Sequence, residues 1–171
     1  LSYTLVTVLL LYLFLKKSLT SDFSFKKNIS WWILFGFIFN FISFSWLYSV
    51  YPLIWLPEGF VQMLGIFILQ LILSVTSGLC FFIVGYGLTA IKKYSVKKIY
   101  HPLIFAITLM FAEVFRSLAI SLLYYGENTT VNLHFTSGTL GNALSTTPLI
   151  EFAYFGGVFS LTFVLGYLVY S

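Results

Sequence analysis

Residues 102–125 read PLIFAITLMFAEVFRSLAISLLYY. As an α-helix this stretch would run ~36 Å, enough to cross the roughly 30 Å hydrocarbon core of a bilayer. Proline at its head suits a first helical turn, where its missing N–H would have had no partner. A soluble helix shows water a charged face, but this stretch carries charge only at Glu113 and Arg116. It reads as a membrane span, and the rest of the chain resembles it in composition. Of 171 residues, 60% are hydrophobic and 8% charged. A soluble domain has about 45–50% and 25%. The mean hydropathy is +0.98. A soluble globule of this size has too little interior to hide so much apolar surface. These values exclude a soluble enzyme, a disordered segment and a nucleic-acid-binding domain. The expected fold is all-α, a polytopic transmembrane helix bundle.

About five spans are expected in one transmembrane domain covering 1–171, near 1–15, 31–51, 60–91, 102–125 and 148–170. Leu1–Leu15 would reach only ~22 Å as a helix. It follows no initiator Met, so it reads as the tail of a span that begins upstream, and the chain stops at Ser171 directly after another apolar run. The second span is uncharged and opens on Trp31 and Trp32, expected as interfacial anchors. The third is too long for one perpendicular helix, so tilt or a kink near Ser77–Gly78 should absorb the excess.

The lysines set the expected orientation. Eight of the nine basic residues form the pairs Lys16–Lys17, Lys26–Lys27, Lys92–Lys93 and Lys97–Lys98, all in loops 16–28 and 92–101. Under a five-span count these loops share a side, and the positive-inside bias makes that side cytoplasmic. Loops 52–58 and 126–147 hold no Lys or Arg and should face out. Cys80 is the single cysteine, which excludes an internal disulfide and a cysteine-built metal site. Burial habit assigns it to packing. His101 and His134 read as lone loop histidines, and Asn128-Thr129-Thr130 is a glycosylation sequon in form, relevant in a eukaryotic secretory route.

Five polar or aromatic residues are candidates for a substrate or lipid cavity. Glu113 and Arg116 sit three apart and share a helix face. Each charge costs roughly 2.5–3.5 kcal/mol at the centre of a span, so such residues face a bundle interior or a watered cavity, and they pair. The pair reads either as a structural tie or as the polar floor of a cavity, with Arg116 able to snorkel outward. Glu151, in the first turn of the last span, is favoured by the helix dipole and reads first as a capping acid, with Arg116 as a second candidate partner. Trp46 and Tyr48 lie near the outer end of the second span, where an aromatic belt is expected. Gly156 and Gly157 are expected to permit close helix approach, and Gly85 and Gly87 likewise. No catalytic cluster, metal-ligand spacing or cofactor motif stands in the sequence.

Taken in order, three stretches resemble the membrane region of bacterial apolipoprotein N-acyltransferases. FGFIFNFISFSWLYSV at 35–50 is similar to that family's Gly/Phe-rich helix ending in a Trp/Tyr cluster. LMFAEVFRSLAI at 109–120 resembles its A-E-W-x-R helix, with Phe115 for the Trp. TPLIEFAYFGGVFSLTFVLGYLV at 147–169 resembles its S-P-x-x-Q-x-A-x-x-G-G helix, with Glu151 at a commonly polar position, Ser160 for a Gly and Thr162 for a Ser. The outer loop departs: Leu140-Gly141-Asn142-Ala143 lacks the family's Tyr and Gln.

The resemblance implies a bacterial inner-membrane protein of eight spans, with those here matching the second to sixth. It implies one span before Leu1 and, after Ser171, another span, a periplasmic nitrilase-like domain and a final span. A Glu, Lys and Cys triad in that domain would take an acyl chain from a phospholipid as a thioester and pass it to the amino-terminal Cys amine of a lipoprotein. The implied partners are therefore phospholipid, lipoprotein and membrane lipids, with no cofactor, metal or nucleic acid. Glu113 and Arg116 would shape the lipid cavity, and Trp46 and Tyr48 would line its mouth. Two other readings stand beside this one. They are a non-catalytic scaffold or anchor, for example for a polyprenol-linked glycosyltransferase, and a transporter-like protein.

Overall fold

The computed structural model describes residues 2–50, 59–94, 96–123, 125, 130–133, 136 and 138–171. The fold is helical, with no strand among the described residues. Its α-helices are α1 (Ser2–Thr20), α2 (Phe25–Ser43), α3 (Phe60–Cys80), α4 (Phe82–Lys93), α5 (His101–Leu123) and α6 (Ala153–Tyr170). Short 3-10 turns cover Phe44–Val50, Lys98–Tyr100, Leu140–Leu144 and Pro148–Phe152. Among the described residues, four helical stretches are long and apolar enough to cross a membrane: Phe25–Ser49, Phe60–Lys93, Lys98–Leu123 and Pro148–Tyr170. That is one fewer than the five expected. The N-terminal helix is not among them.

Helix α2 begins at Phe25, ahead of the expected boundary at Trp31, because Ser24 caps it: its hydroxyl accepts from Lys27 N at 3.4 Å. Trp32 is therefore a full turn and more inside the helix. It is completely buried against Phe35 and Phe105 and donates from Nε1 to Ser18 Oγ at 3.3 Å. This corrects its reading as an interfacial anchor. The long third stretch breaks at Phe81, three residues beyond the expected kink, where Phe81 N turns back to Gly78 O at 3.0 Å.

Bare backbone lets α2 lie against α3 and α4. A Cβ on Gly78 would sit 2.9 Å from Phe37 N, and one on Gly85 would sit 2.7 Å from Ile29 Cα. Gly166 brings α6 onto Ala106 of α5 in the same way. Gly156 and Gly157, expected at a close contact, are instead exposed and mark a break in α6. Gly157 has φ 61° and ψ −154°, a conformation open to glycine alone, and a Cβ there would meet nothing within 4 Å. The two sites should respond differently to substitution. Gly85→Ala is expected to cost about 1–3 kcal/mol through overpacking. Gly156→Ala should stay within about 0.5 kcal/mol, as open surface sites do. Denaturation of the two variants in detergent measures the contrast.

Candidate functional site

One set of buried polar groups gathers around α5. Glu113 and Arg116 have no solvent exposure and pair through Arg116 Nε and Glu113 Oε2 at 2.6 Å. Arg116 Nη1 also donates to Asn40 Oδ1 of α2 at 3.4 Å, and Asn40 Nδ2 donates to Gly36 O at 2.8 Å. The other carboxylate oxygen, Glu113 Oε1, accepts from Leu140 N at 3.0 Å. Next to it, Gly141 N donates to Thr162 Oγ1 of α6 at 3.0 Å. The opening N–H groups of the Leu140–Leu144 turn would have no partner within the turn. Two spanning helices receive them, and the carboxylate sits at the end of a helical turn where negative charge is favoured.

This network lies midway along α5, since Glu113 is the thirteenth of its 23 residues. Thr4 Oγ1 of α1 donates to Ala143 O of the same turn at 2.6 Å. On α3, Gln70 Nε2 donates to Phe41 O at 2.6 Å and Ser74 Oγ donates to Gln70 O at 2.6 Å. Gln70 Oε1, Ser77 Oγ and Ser117 Oγ are buried without a hydrogen-bond partner among the described residues.

A second network ties the lysine-bearing end. Ser18 Oγ of α1 donates to Asn28 Oδ1 at 2.5 Å, and Asn28 Nδ2 donates to Gly85 O and Thr89 Oγ1 at 3.0 Å. Lys92 Nζ donates to Ser18 O at 2.8 Å and Ser21 O at 3.3 Å, where a cation is favoured by the end of α1. The two lysine-bearing connections therefore meet. His101, expected as a lone loop residue, opens α5 instead: Nε2 contacts Val96 O at 2.8 Å and Nδ1 contacts Tyr170 Oη at 3.2 Å. With a carbonyl at Nε2, that nitrogen donates.

The five residues expected to shape one cavity lie in different settings. Glu113 and Arg116 are enclosed, and Arg116 turns back to Glu113, so the outward snorkelling expected for it does not occur. Glu151 is exposed in the Pro148–Phe152 turn. Trp46 and Tyr48 are 42% and 36% exposed on the Phe44–Val50 turn. The cavities between helices have other linings. One of about 290 Å³ is bounded by Phe25, Tyr86 and Lys93, and another of about 320 Å³ by Leu34, Phe37, Val75 and Leu79. A third, also about 320 Å³, lies beside Cys80 and Phe115. Cys80 is half-buried and its thiol meets Thr76 O at 3.4 Å. Among the described residues no three His, Cys, Asp or Glu gather to hold a metal. His134, loop 52–58 and Asn128-Thr129 of the sequon lie outside the described residues.

Asn28, Asn40 and Gln70, not among the candidates read from the sequence, are buried and hydrogen-bonded between helices. Their signal was an uncharged polar residue inside an apolar helix, which lipid disfavours and a neighbouring helix rewards. No protein-family model, no curated protein and no solved structure matches the chain.

Proposed function

We propose that the chain is the membrane-embedded amino-terminal part of a bacterial lipoprotein N-acyltransferase. In this reading it holds the phospholipid acyl donor at the membrane surface for a nitrilase-like domain that follows Ser171. That domain transfers the acyl chain to the amino-terminal Cys of a lipoprotein. The observation that carries the proposal is the convergence of the three stretches that resemble the family. Asn40 belongs to the first, and Glu113 and Arg116 belong to the second. Arg116 joins the first two through Asn40. Thr162 belongs to the third and joins the second through adjacent N–H groups of the Leu140–Leu144 turn. Residues that look unrelated along the chain thus meet in one buried network, which supports reading them as parts of one motif set.

Within that network Glu113 and Arg116 act as a tie. Their enclosure favours positioning of the Leu140–Leu144 turn over direct lipid contact. Trp46 and Tyr48, exposed at the same end of α2, would be the aromatic residues nearest a lipid entrance. Helix α1 is a fifth, partial span. It is bonded to the Leu140–Leu144 turn through Thr4 and to the lysine end through Ser18.

The lysine end faces the cytoplasm in this account. In a Cys80→Ala background, Ser145→Cys should react with an impermeant thiol reagent from the periplasmic side. Ser21→Cys should react only after the membrane is opened. Reaction of Ser21→Cys alone in sealed cells would reverse the orientation. The gene downstream of Ser171 provides a separate check. A large outer domain carrying Glu, Lys and Cys agrees with the proposal, and an immediate stop codon moves the reading to a scaffold.

A further inference from the structure

The geometry points to a binding site for an anionic phospholipid at the lysine-bearing end, between the first turn of α2 and the last turns of α4. The cavity of about 290 Å³ there is lined by Phe25, Tyr86, Thr89, Ala90, Lys93 and Tyr94. Phe25 and Tyr86 meet edge to face with ring centroids 6.1 Å apart and form an aromatic wall. Lys93 supplies the cation, its Nζ lying 5.4 Å from the centre of the Tyr94 ring. The neighbouring Lys92 is committed elsewhere, to the carbonyls of Ser18 and Ser21. Thr89 is committed too, since its hydroxyl donates to Gly85 O and accepts from Asn28. The charged group left in the lining is one ammonium, with no carboxylate beside it. Across loops 16–28 and 92–101, eight lysines face a single acid, Asp22. That charge pattern selects an anion, and basic pockets between spanning helices at such an interface suit acidic headgroups.

A second feature identifies the anion as a lipid. Val75 and Leu79 share a face of α3, Phe82, Tyr86 and Lys93 share a face of α4, and the cavities that these faces line both border α2. All five are exposed. Toward the middle of the span lies the apolar groove of about 320 Å³ formed with Leu34 and Phe37 of α2. From Tyr86 to Val75 the helix rise is ~16 Å, a run that an acyl chain can follow. A phosphate beside Lys93 would thus have its hydrocarbon continue along an apolar track. A soluble anion would leave that track unused. The site stands independently of the acyltransferase proposal, since it requires only that these helices lie in a bilayer.

The test uses the intact protein in detergent and measures lipid retention by native mass spectrometry. The probes are phosphatidylglycerol, phosphatidylcholine and glycerol 3-phosphate. Phosphatidylglycerol should be retained in preference to phosphatidylcholine, and millimolar glycerol 3-phosphate should not displace it. Lys93→Gln should weaken phosphatidylglycerol binding about fivefold, the weight of one lysine near an anionic surface. Lys93→Arg should keep it, and Lys98→Gln, which removes the same charge from an exposed position nearby, should change it less than about twofold. Tyr86→Ala, which takes down the aromatic wall, should also weaken it and serves if Lys93→Gln does not fold. Equal retention of phosphatidylcholine, or equal effects of Lys93→Gln and Lys98→Gln, would overturn the site. Displacement by glycerol 3-phosphate would reassign it to a soluble anion.

Discussion

Arg116→Leu is expected to destabilise the bundle by about 3–5 kcal/mol, the usual cost of removing one partner from a buried ion pair. The cause is less the lost attraction than the group left behind. Glu113 has no solvent exposure, and without the guanidinium its charge would face Leu140 N with no cation beside it. Asn40 Oδ1 would lose a donor as well. The double change Glu113→Gln with Arg116→Leu should cost less than the single Arg116→Leu, because a neutral Gln carbonyl can still accept from Leu140 N. Unfolding midpoints in detergent for the two single variants and the double form a mutant cycle. Harmless single changes whose effects simply add would show that the pair ties nothing. An accompanying loss of protease resistance around residues 138–144 in Arg116→Leu would identify the Leu140–Leu144 turn as what the pair holds.

The helical class was legible because whole stretches of the chain lack charge, and the positions of α2 to α6 follow those stretches closely. What decided helix ends was local chemistry that hydropathy does not register. Ser24 starts α2 within a lysine-rich segment that hydropathy assigns to a loop. Nearly all helix faces are apolar, so periodicity could not say which face is inside, and Trp32 was placed at the interface although it is in the core. The i, i+3 spacing put Glu113 and Arg116 on one face, yet spacing within one helix carries nothing about Asn40 on α2 or Leu140 N in the Leu140–Leu144 turn. Those partners lie 76 and 27 residues away and come into range only when the helices pack. The Gly156–Gly157 pair shows a different ambiguity. Paired glycines serve close approach in a straight helix and backbone freedom in a broken one. The preceding Pro148–Phe152 turn, with Ser160 Oγ donating to Phe152 O and Gly157 O, selects the break.

Acyl transfer carries the other large expected effect, because the difference is between activity and none. The 171 residues hold one thiol, and Cys80 lies half-buried against the carbonyl of Thr76. Thioester chemistry needs a thiolate with a base at hand and donors placed for the developing oxyanion. The surroundings of Cys80 offer packing instead, so Cys80→Ala should leave the rate of the full-length protein within about twofold. The direct measurement is transfer from phospholipid to the free amine of a diacylated lipopeptide, followed by mass spectrometry of the peptide. The account predicts a triacylated product from the full-length gene product, a rate indifferent to Cys80→Ala, and no product from residues 1–171 alone. A folded full-length protein that acylates no lipopeptide would contradict it.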